Sequence, residues 1–174
     1  MKKKCILCGE VKPPIYFHKA AANKDGRKGE CKICKRKMTK KRWNTEIGFL
    51  QLKYTAIRER GRQNTDKKHQ CFFTFEEFCG AFEKHKEKLG MRSAWGPPHL
   101  PMTRIYLGRE GLKGKERTGS NLSPDRLDSS KPYTIQNLIF IRNDENVRKK
   151  DTTYEDCLTQ IKLHEERFIN MEAI

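Results

Sequence analysis

The sequence predicts a small α+β protein with a cysteine-rich basic module, a helical middle and a carboxy-terminal strand–loop–strand–helix unit. Three observations predict this class. Two Cys-x-x-Cys pairs lie within residues 1–42, apolar residues recur at helical spacing within residues 43–90, and two short apolar runs precede a polar helix within residues 91–174. We expect residues 1–42 to be a metal-binding module and residues 43–90 a helical connector. Residues 91–174 are expected to hold the strand–loop–strand–helix unit and a last helix.

The positive charge of the chain is concentrated at its amino terminus. The 174 residues include 38 Lys and Arg against 22 Asp and Glu, and residues 1–42 hold 15 of the basic residues against three acidic ones. A field this uneven is typical of nucleic-acid binding; the alternative is a solvated surface that only aids solubility.

Composition also excludes some classes of protein. Only 35% of the residues are hydrophobic, and no apolar run approaches the ~18 residues that a membrane-spanning helix needs, so we expect no membrane partner. Because no apolar segment follows the initial lysines, we expect an intracellular protein whose seven cysteines stay reduced.

Four of the cysteines predict one structural zinc site. Two closely spaced pairs can turn four thiolates toward one ion, which fills a tetrahedral shell and leaves no open position. A disulfide framework does not fit an intracellular compartment, and a thioredoxin-like site needs only one pair. The predicted ligands are Cys5, Cys8, Cys31 and Cys34. The first pair lies in the pattern Cys-x-x-Cys-Gly-Glu-x-Lys-Pro, which is followed by Phe-His-Lys and then by the second pair. This order resembles the zinc ribbons that precede many phage and bacterial HNH nuclease domains.

Two helices are predicted in the middle of the chain. Apolar residues from Trp43 to Ile57 alternate at spacings of four and three, which predicts one long helix that starts after Cys34 and ends at Gly61. A capping box, Thr74-x-x-Glu77, starts the second helix, and Gly90 ends it. Basic residues on the first turns of the long helix are expected to lie along a DNA backbone, namely Lys35, Arg36, Lys40 and Arg42.

A strand, loop, strand and helix are predicted after residue 120. The strands are expected at residues 122–127 and 138–141, and Asn143 is expected to cap a helix that runs into Lys149. Residues 91–121, rich in glycine, predict a loop that is either mobile near a substrate or a plain linker.

Several residues of this unit follow a recognisable pattern, namely the run Asp125-Arg126-Leu127-Asp128, with Tyr133, Gln136-Asn137, Asn146 and Lys149. The pattern resembles the HNH, or ββα-metal, endonuclease motif in its Asp-Arg-Ile-Asp form. This form occurs in phage HNH proteins and some rare-cutting restriction enzymes. With the zinc module the resemblance covers about half of the chain. It implies a ββα-metal nuclease core in which Asp125 and Asn146 bind one catalytic Mg²⁺ or Mn²⁺ ion, Asn137 braces the loop by hydrogen bonds, and Lys149 contacts DNA.

The residue types themselves suit phosphodiester hydrolysis. Carboxylate and amide oxygens are ligands that a hard divalent cation prefers, and Arg126 beside the scissile phosphate would stabilise developing charge. The alternative is a surface ion pair of Asp125 with Arg126 and a surface amide at Asn146. Because Arg126 stands where many relatives carry the general-base histidine, the base must come from elsewhere, and the candidates are His99, His85 and Tyr106.

Two further departures from the resemblance carry expectations. Many relatives have a second zinc site, and Arg142 and Glu145 replace one of its cysteine pairs, so we expect apolar packing there. Pro132 replaces a usual glycine and stiffens the loop.

The sequence therefore predicts a metal-dependent endonuclease that cuts double-stranded DNA in the cytoplasm of a prokaryotic or phage-infected cell, and it leaves open whether the protein is a homodimer. The alternatives are a DNA-binding protein that has lost catalysis and an RNA-binding zinc protein. The second is disfavoured because no strand is rich in the aromatic residues that stack on bases.

Overall fold

A computed structural model gives the fold of the protein and describes residues 2–96, 99–107, 119–150 and 153–172. These residues form five α-helices and six short strands, which confirms the α+β class. The strands pair in three separate antiparallel two-stranded sheets. In chain order the elements are β1 (Lys3–Lys4), β2 (Val11–Lys12), β3 (Phe17–Lys19), β4 (Arg27–Cys31), α1 (Lys32–Trp43), α2 (Glu46–Gln63), α3 (Phe75–Leu89), β5 (Leu122–Arg126), β6 (Leu138–Arg142), α4 (Asn143–Lys149) and α5 (Tyr154–Glu172).

The amino-terminal module consists of two hairpins, β1–β2 and β3–β4, followed by α1. Gly9 closes the turn after the first cysteine pair with a φ of +72°, and its N–H donates to the carbonyl of Cys5 at 2.9 Å. Phe17 is fully buried against Cys5 and Cys31. A core this small leaves the module short of apolar burial, which a bound metal would supplement.

The predicted long helix is in fact two helices, α1 and α2, separated by Asn44 and Thr45. The hydroxyl of Thr45 accepts a hydrogen bond from the N–H of Gly48 at 3.1 Å and donates to the carbonyl of Arg42 at 2.7 Å. A Cβ atom on Gly48 would lie 2.0 Å from that carbonyl oxygen. The prediction was wrong because Thr45 is a strong N-cap that starts a new helix.

The predicted end of the helix was also wrong, because α2 continues past Gly61 to Gln63. Gly61 is needed for close approach: a Cβ atom there would lie 2.7 Å from the carbonyl oxygen of His69. That residue closes a short 3-10 turn, Lys67–His69, which packs on the end of α2.

The main hydrophobic core lies between α2, α3 and one face of the β5–β6 hairpin. The apolar stripe predicted on α2 is buried at Leu50, Tyr54 and Ile57, whereas Ile47 is 59% exposed. The buried members of this core are Phe49, Leu50, Tyr54, Ile57, Phe73, Phe78, Phe82, Met102, Leu122, Tyr133 and Phe140.

The second helix, α3, begins and ends as predicted. The N–H of Thr74 donates to Glu77 Oε2 at 2.7 Å, and the N–H of Glu77 donates to Thr74 Oγ1 at 3.2 Å. Gly90 ends the helix with a φ of +63°.

The strand–loop–strand–helix unit is present as β5, β6 and α4. Ser123 pairs with Ile141 and Asp125 with Ile139, so these four side chains share the face of the hairpin that turns toward α4. The helix begins one residue earlier than expected, since Asn143 is its first residue and not its cap. None of the helices in the described residues is long and apolar enough to span a membrane.

Candidate functional site

The four cysteines of the amino-terminal module converge on one point. Their sulfur atoms all lie within 4.8 Å of one another. Four sulfurs at the ~2.3 Å Zn–S distance of a tetrahedral site are about 3.8 Å apart, so a small adjustment fits the cluster to zinc. The two cysteine pairs come from the turn after β1 and from the junction of β4 with α1. The group Cys5, Cys8, Cys31 and Cys34 can therefore hold a metal ion such as zinc.

Hydrogen bonds shift the pKa values of two thiols in the cluster in opposite directions. Backbone N–H groups, chiefly that of Cys8 and then those of Cys31 and Leu7, lower the pKa of the Cys5 thiol from 9.0 to about 6. Hydrogen bonding to the Cys31 sulfur, with burial, raises the pKa of Cys34 to about 12. One sulfur thus favours the thiolate form while another keeps its proton, and a divalent ion would displace the remaining protons.

The face between β5 and α4 carries two polar contacts. The amide Nδ2 of Asn146 donates to Ser123 Oγ at 2.9 Å, and Lys149 Nζ lies 3.2 Å from Asp125 Oδ2. The strand residues are two apart and the helix residues three apart, which puts each pair on one face of its element. The carboxylate of Asp125 and the amide group of Asn146 therefore take part in neighbouring contacts of the same interface.

Lys149 occupies a different place from the one expected of a DNA contact. The residue is 1% exposed, and its ammonium also donates to Ser129 Oγ at 2.9 Å. Asp125 is 7% exposed. A buried ammonium must be paired to offset the loss of its hydration, and Asp125 supplies that pairing. The positive charge of Lys149 is thus directed into the ββα unit.

Asn137 forms hydrogen bonds across the loop between β5 and β6. Its Oδ1 accepts from the N–H of Asp128 at 2.8 Å, and its Nδ2 donates to the carbonyls of Asp128 at 3.0 Å and Pro132 at 2.9 Å. Bonds to both ends of residues 128–132 hold the loop closed. This is the arrangement that a bracing role requires.

Asp128 is itself fixed within that loop. It accepts hydrogen bonds from the N–H of Ser130 at 2.9 Å and its hydroxyl at 2.6 Å, and it pairs with Lys131 at 3.0 Å. These contacts, the Ser130 hydroxyl first, lower the pKa of Asp128 to about 2.

Arg126 lies on the opposite face of the hairpin from Asp125. Its guanidinium is buried, donates to the carbonyls of Lys68 at 2.8 Å and Lys131 at 3.3 Å, and packs over the Tyr133 ring. Successive side chains of a strand point to opposite faces, so Arg126 cannot share the α4 side with Asp125. Arg126 was expected beside a phosphate bound at Asp125, and its place on the other face of the hairpin does not fit that expectation. Instead, Arg126 joins the β5–β6 loop to the 3-10 turn.

The three candidate bases make their described hydrogen bonds to residues outside this interface. His85 Nε2 donates a hydrogen bond to the carbonyl of Arg92 at 2.8 Å, and His99 Nδ1 donates one to the carbonyl of Ser93 at 2.9 Å. Burial lowers the pKa of His85. The N–H of Tyr106 donates to Asn44 Oδ1 at 2.8 Å, at the junction of α1 and α2. Among the described contacts none of the three touches Asp125, Asn146 or Lys149.

The predicted DNA-binding residues of α1 are exposed. No residue of α1 is buried, and the helix carries Lys35, Arg36, Lys40 and Arg42 at its surface. Lys35 lies 4.0 Å from Glu30, and the Arg42 guanidinium packs over the Trp43 ring.

Glu145 holds the segment before residue 96 against α4. It is buried and accepts hydrogen bonds from the hydroxyl of Ser93 and, at 2.9 Å, from the N–H of Arg142. The apolar packing expected around Arg142 and Glu145 is thus only part of the arrangement, since a polar network accompanies the cluster of Trp95, Ile141 and Cys157. Sequence reasoning missed Ser93, Ser123 and Ser129; only Ser123 had a signal, its spacing of two from Asp125.

No protein-family model, curated protein or solved structure matches this chain.

Proposed function

We propose that the protein is a divalent-metal-dependent endonuclease of double-stranded DNA whose reaction takes place at the ββα unit. The observation that carries this proposal is the interface of β5 and α4, where the carboxylate of Asp125 and the amide of Asn146 occupy neighbouring contacts. The net charge of +16 supports a phosphate-rich partner. The motif's resemblance to HNH endonucleases supplies the reaction class.

We further propose that the cysteine cluster holds one structural zinc ion. Four sulfur ligands complete a tetrahedral shell, which leaves no position for a substrate or a reactive water. The ion would join the turn after β1 to the start of α1 and so add the stability that a core around Phe17 cannot supply.

The donor set at the ββα unit fits a weakly held Mg²⁺ or Mn²⁺ ion. Asp125 and Asn146 offer hard oxygen atoms, because the amide nitrogen of Asn146 is already directed to Ser123. When bound, such an ion neutralises charge on a phosphate and its leaving oxygen. The neighbouring ammonium of Lys149 opposes a second cation, so affinity without a phosphate ligand would be low.

The other residues of the unit act by positioning. Ser123 fixes the orientation of the Asn146 amide, and Asn137 holds the loop that follows Asp125. Lys149 orients the Asp125 carboxylate in a buried setting.

The test is cleavage of supercoiled plasmid by purified protein with Mg²⁺ or Mn²⁺. We expect nicked and linear products from the unaltered protein and none from Asp125→Ala. Glu83→Gln, a change to an exposed acid on α3, is the control and should leave the rate unchanged. Equal rates for the unaltered protein and Asp125→Ala would overturn the proposed site.

A second function is a DNA-binding protein without catalysis, and one observation favours it. Lys149 already neutralises Asp125, so the carboxylate needs no metal for charge balance. This function would be supported if the protein bound a duplex specifically and in a salt-sensitive way but cut no DNA with either Mg²⁺ or Mn²⁺.

A further inference from the structure

We infer that the end of α2, the 3-10 turn after it and the β5–β6 loop form a second surface for duplex DNA, next to the ββα unit. We call it the turn surface and define it by Arg62, Lys67, Lys68 and Lys131. The inference rests on the proposed function for its substrate, and it adds a binding site outside the amino-terminal module.

The backbone of the 3-10 turn is fixed from two sides. On one side Gly61 lets the carbonyl of His69 approach α2 more closely than any side chain would allow, at 2.7 Å from an ideal Cβ position. On the other side the buried guanidinium of Arg126 donates to the carbonyl of Lys68 at 2.8 Å. The two lysines of the turn therefore extend from a held backbone.

The segment after the turn is tied to the β5–β6 loop. The N–H of Tyr133 donates to the carbonyl of Gln70, and the N–H of Phe72 donates to the carbonyl of Tyr133, each at 2.9 Å. Arg126 also donates to the carbonyl of Lys131 at 3.3 Å. Basic residues from two separate parts of the chain are thus brought to one side of the hairpin.

The turn surface borders the ββα unit. Lys131 follows Ser129 by two residues, a span of at most about 7 Å, and Ser129 accepts the hydrogen bond from Lys149 that accompanies the Asp125 pair. A duplex seated on the lysines of the turn would therefore contact the loop that joins the two strands of the ββα unit.

The charge of this region suits phosphate groups. Residues 58–68 with the loop at 128–131 contain six basic residues and three acidic ones, Glu59, Asp66 and Asp128. Each acid pairs within the surface itself: Glu59 with Arg62 at 2.9 Å, Asp66 with Lys68 at 3.2 Å, and Asp128 with Lys131 at 3.0 Å. These pairs orient the basic side chains and leave a net positive charge.

The exposure of the basic groups also suits an external partner. The side chains of Arg62 and Lys131 are 73% and 68% exposed, and that of Lys68 is 42% exposed. Exposed ion pairs contribute little to folding, so their partners can exchange for phosphate oxygens at small cost.

The test compares two triple variants with the same change in net charge. One is Lys67→Gln, Lys68→Gln and Lys131→Gln; the control is Lys84→Gln, Lys88→Gln and Lys162→Gln, on exposed positions of α3 and α5. Binding of a labelled mixed-sequence 30-bp duplex is measured by fluorescence anisotropy over a range of salt, without Mg²⁺ or Mn²⁺. A third variant, with arginine at the three turn-surface positions, retains the charge.

We expect the turn-surface variant to lose about tenfold or more in affinity and to reduce the slope of log affinity against log salt by about 2.7, for three phosphate contacts. The control should change less than twofold, and the arginine variant should bind normally. Equal affinities for the two glutamine variants would overturn the inference, as would equal competition by single-stranded DNA of the same phosphate content.

Cleavage and binding measured together distinguish a failure of the turn surface from a failure of the proposed nuclease function. If the protein never cuts plasmid but the turn-surface variant loses duplex binding, the surface stands and the nuclease does not. If the turn-surface variant binds and cuts like the control, the nuclease stands and the surface does not. Far-ultraviolet circular dichroism and zinc content confirm that the variants are folded.

Discussion

Lys149 and Asp125 form a buried ion pair, with Nζ 3.2 Å from Oδ2, between the helix and the first strand of the ββα unit. Removal of one partner leaves an uncompensated buried charge. We therefore expect Lys149→Met to lower the free energy of unfolding by about 3–5 kcal/mol, as measured by urea denaturation. The double variant with Asp125→Asn should lose less than the sum of the two single changes. Additive losses would show that the two groups do not interact.

The same pair predicts a change in metal affinity. Since the ammonium of Lys149 opposes a second cation at Asp125, Lys149→Met should bind Mn²⁺ more tightly than the unaltered protein. Calorimetric titration with Mn²⁺ measures this, with Lys150→Met, an exposed neighbour, as the control. Weaker binding by Lys149→Met would contradict the proposal that Asp125 is a metal ligand.

Asn137→Ala should loosen the loop between β5 and β6. The substitution removes three side-chain hydrogen bonds and leaves polar groups of Asp128 and Pro132 without their partner. We expect a loss of about 1–3 kcal/mol in the free energy of unfolding. The matched control is Gln136→Ala at the exposed neighbouring position, which should lose less than about 0.5 kcal/mol.

Asp128→Asn should destabilise the protein in a pH-dependent way. The pKa of Asp128 is lowered to about 2 in the folded protein, so its contribution is fully present above the unfolded pKa near 3.8. That contribution is lost as the pH falls through the window from about 4 to 2. The difference in urea midpoint between the unaltered protein and the variant should therefore be large at pH 7 and shrink below pH 4. A difference that grows on acidification would show that the carboxylate is not held in its ionised form.

Cys31→Ser should abolish zinc binding and unfold the amino-terminal module. The unaltered protein should contain one zinc ion per chain by atomic emission, and the variant none. Cys79→Ser, outside the cluster, should keep its zinc. Two ions in the unaltered protein, or none, would contradict the four-sulfur site.

Neutralisation of α1 should flatten the salt dependence of duplex binding. Arg36 and Lys40 are four residues apart on an exposed helix, so Arg36→Gln with Lys40→Gln should reduce the log–log slope by about 1.8. The matched control is Lys84→Gln with Lys88→Gln, an exposed pair at the same spacing on α3. Equal slopes for the two pairs would place the DNA contact elsewhere.

Local signals predicted much of the fold. The capping box of Thr74 and Glu77, the stop at Gly90 and the order of β5, β6 and α4 all depend on contacts between residues near in sequence. The convergence of the four cysteines could be predicted because each Cys-x-x-Cys pair is a local signal and two such pairs complete one tetrahedral shell.

Other features of the fold and the site could not be predicted because they depend on contacts between segments that are distant in sequence. The inward position of Lys149 depends on Ser129 and Asp125, twenty or more residues away, and a charged residue near a helix end is ordinarily expected in solvent. The role of Arg126 depends on the carbonyl of Lys68, which comes from another element. Gly61 resembled a helix stop because the carbonyl that it accommodates lies outside its own helix.

Gly48 determines how closely α1 and α2 approach each other. Because the carbonyl oxygen of Arg42 fills the space that a Cβ atom of residue 48 would need, α1 and α2 meet at a corner with no room for a side chain. Only Asn44 and Thr45 separate the two helices, and both hydrogen-bond to the last turn of α1. If a duplex bound as proposed were to rotate the cysteine module, this short corner would pass the rotation to α2. Bending at the corner would first have to break the hydrogen bonds of the Thr45 cap. A duplex that contacted both α1 and the end of α2 would therefore lose little entropy in ordering the segment between them.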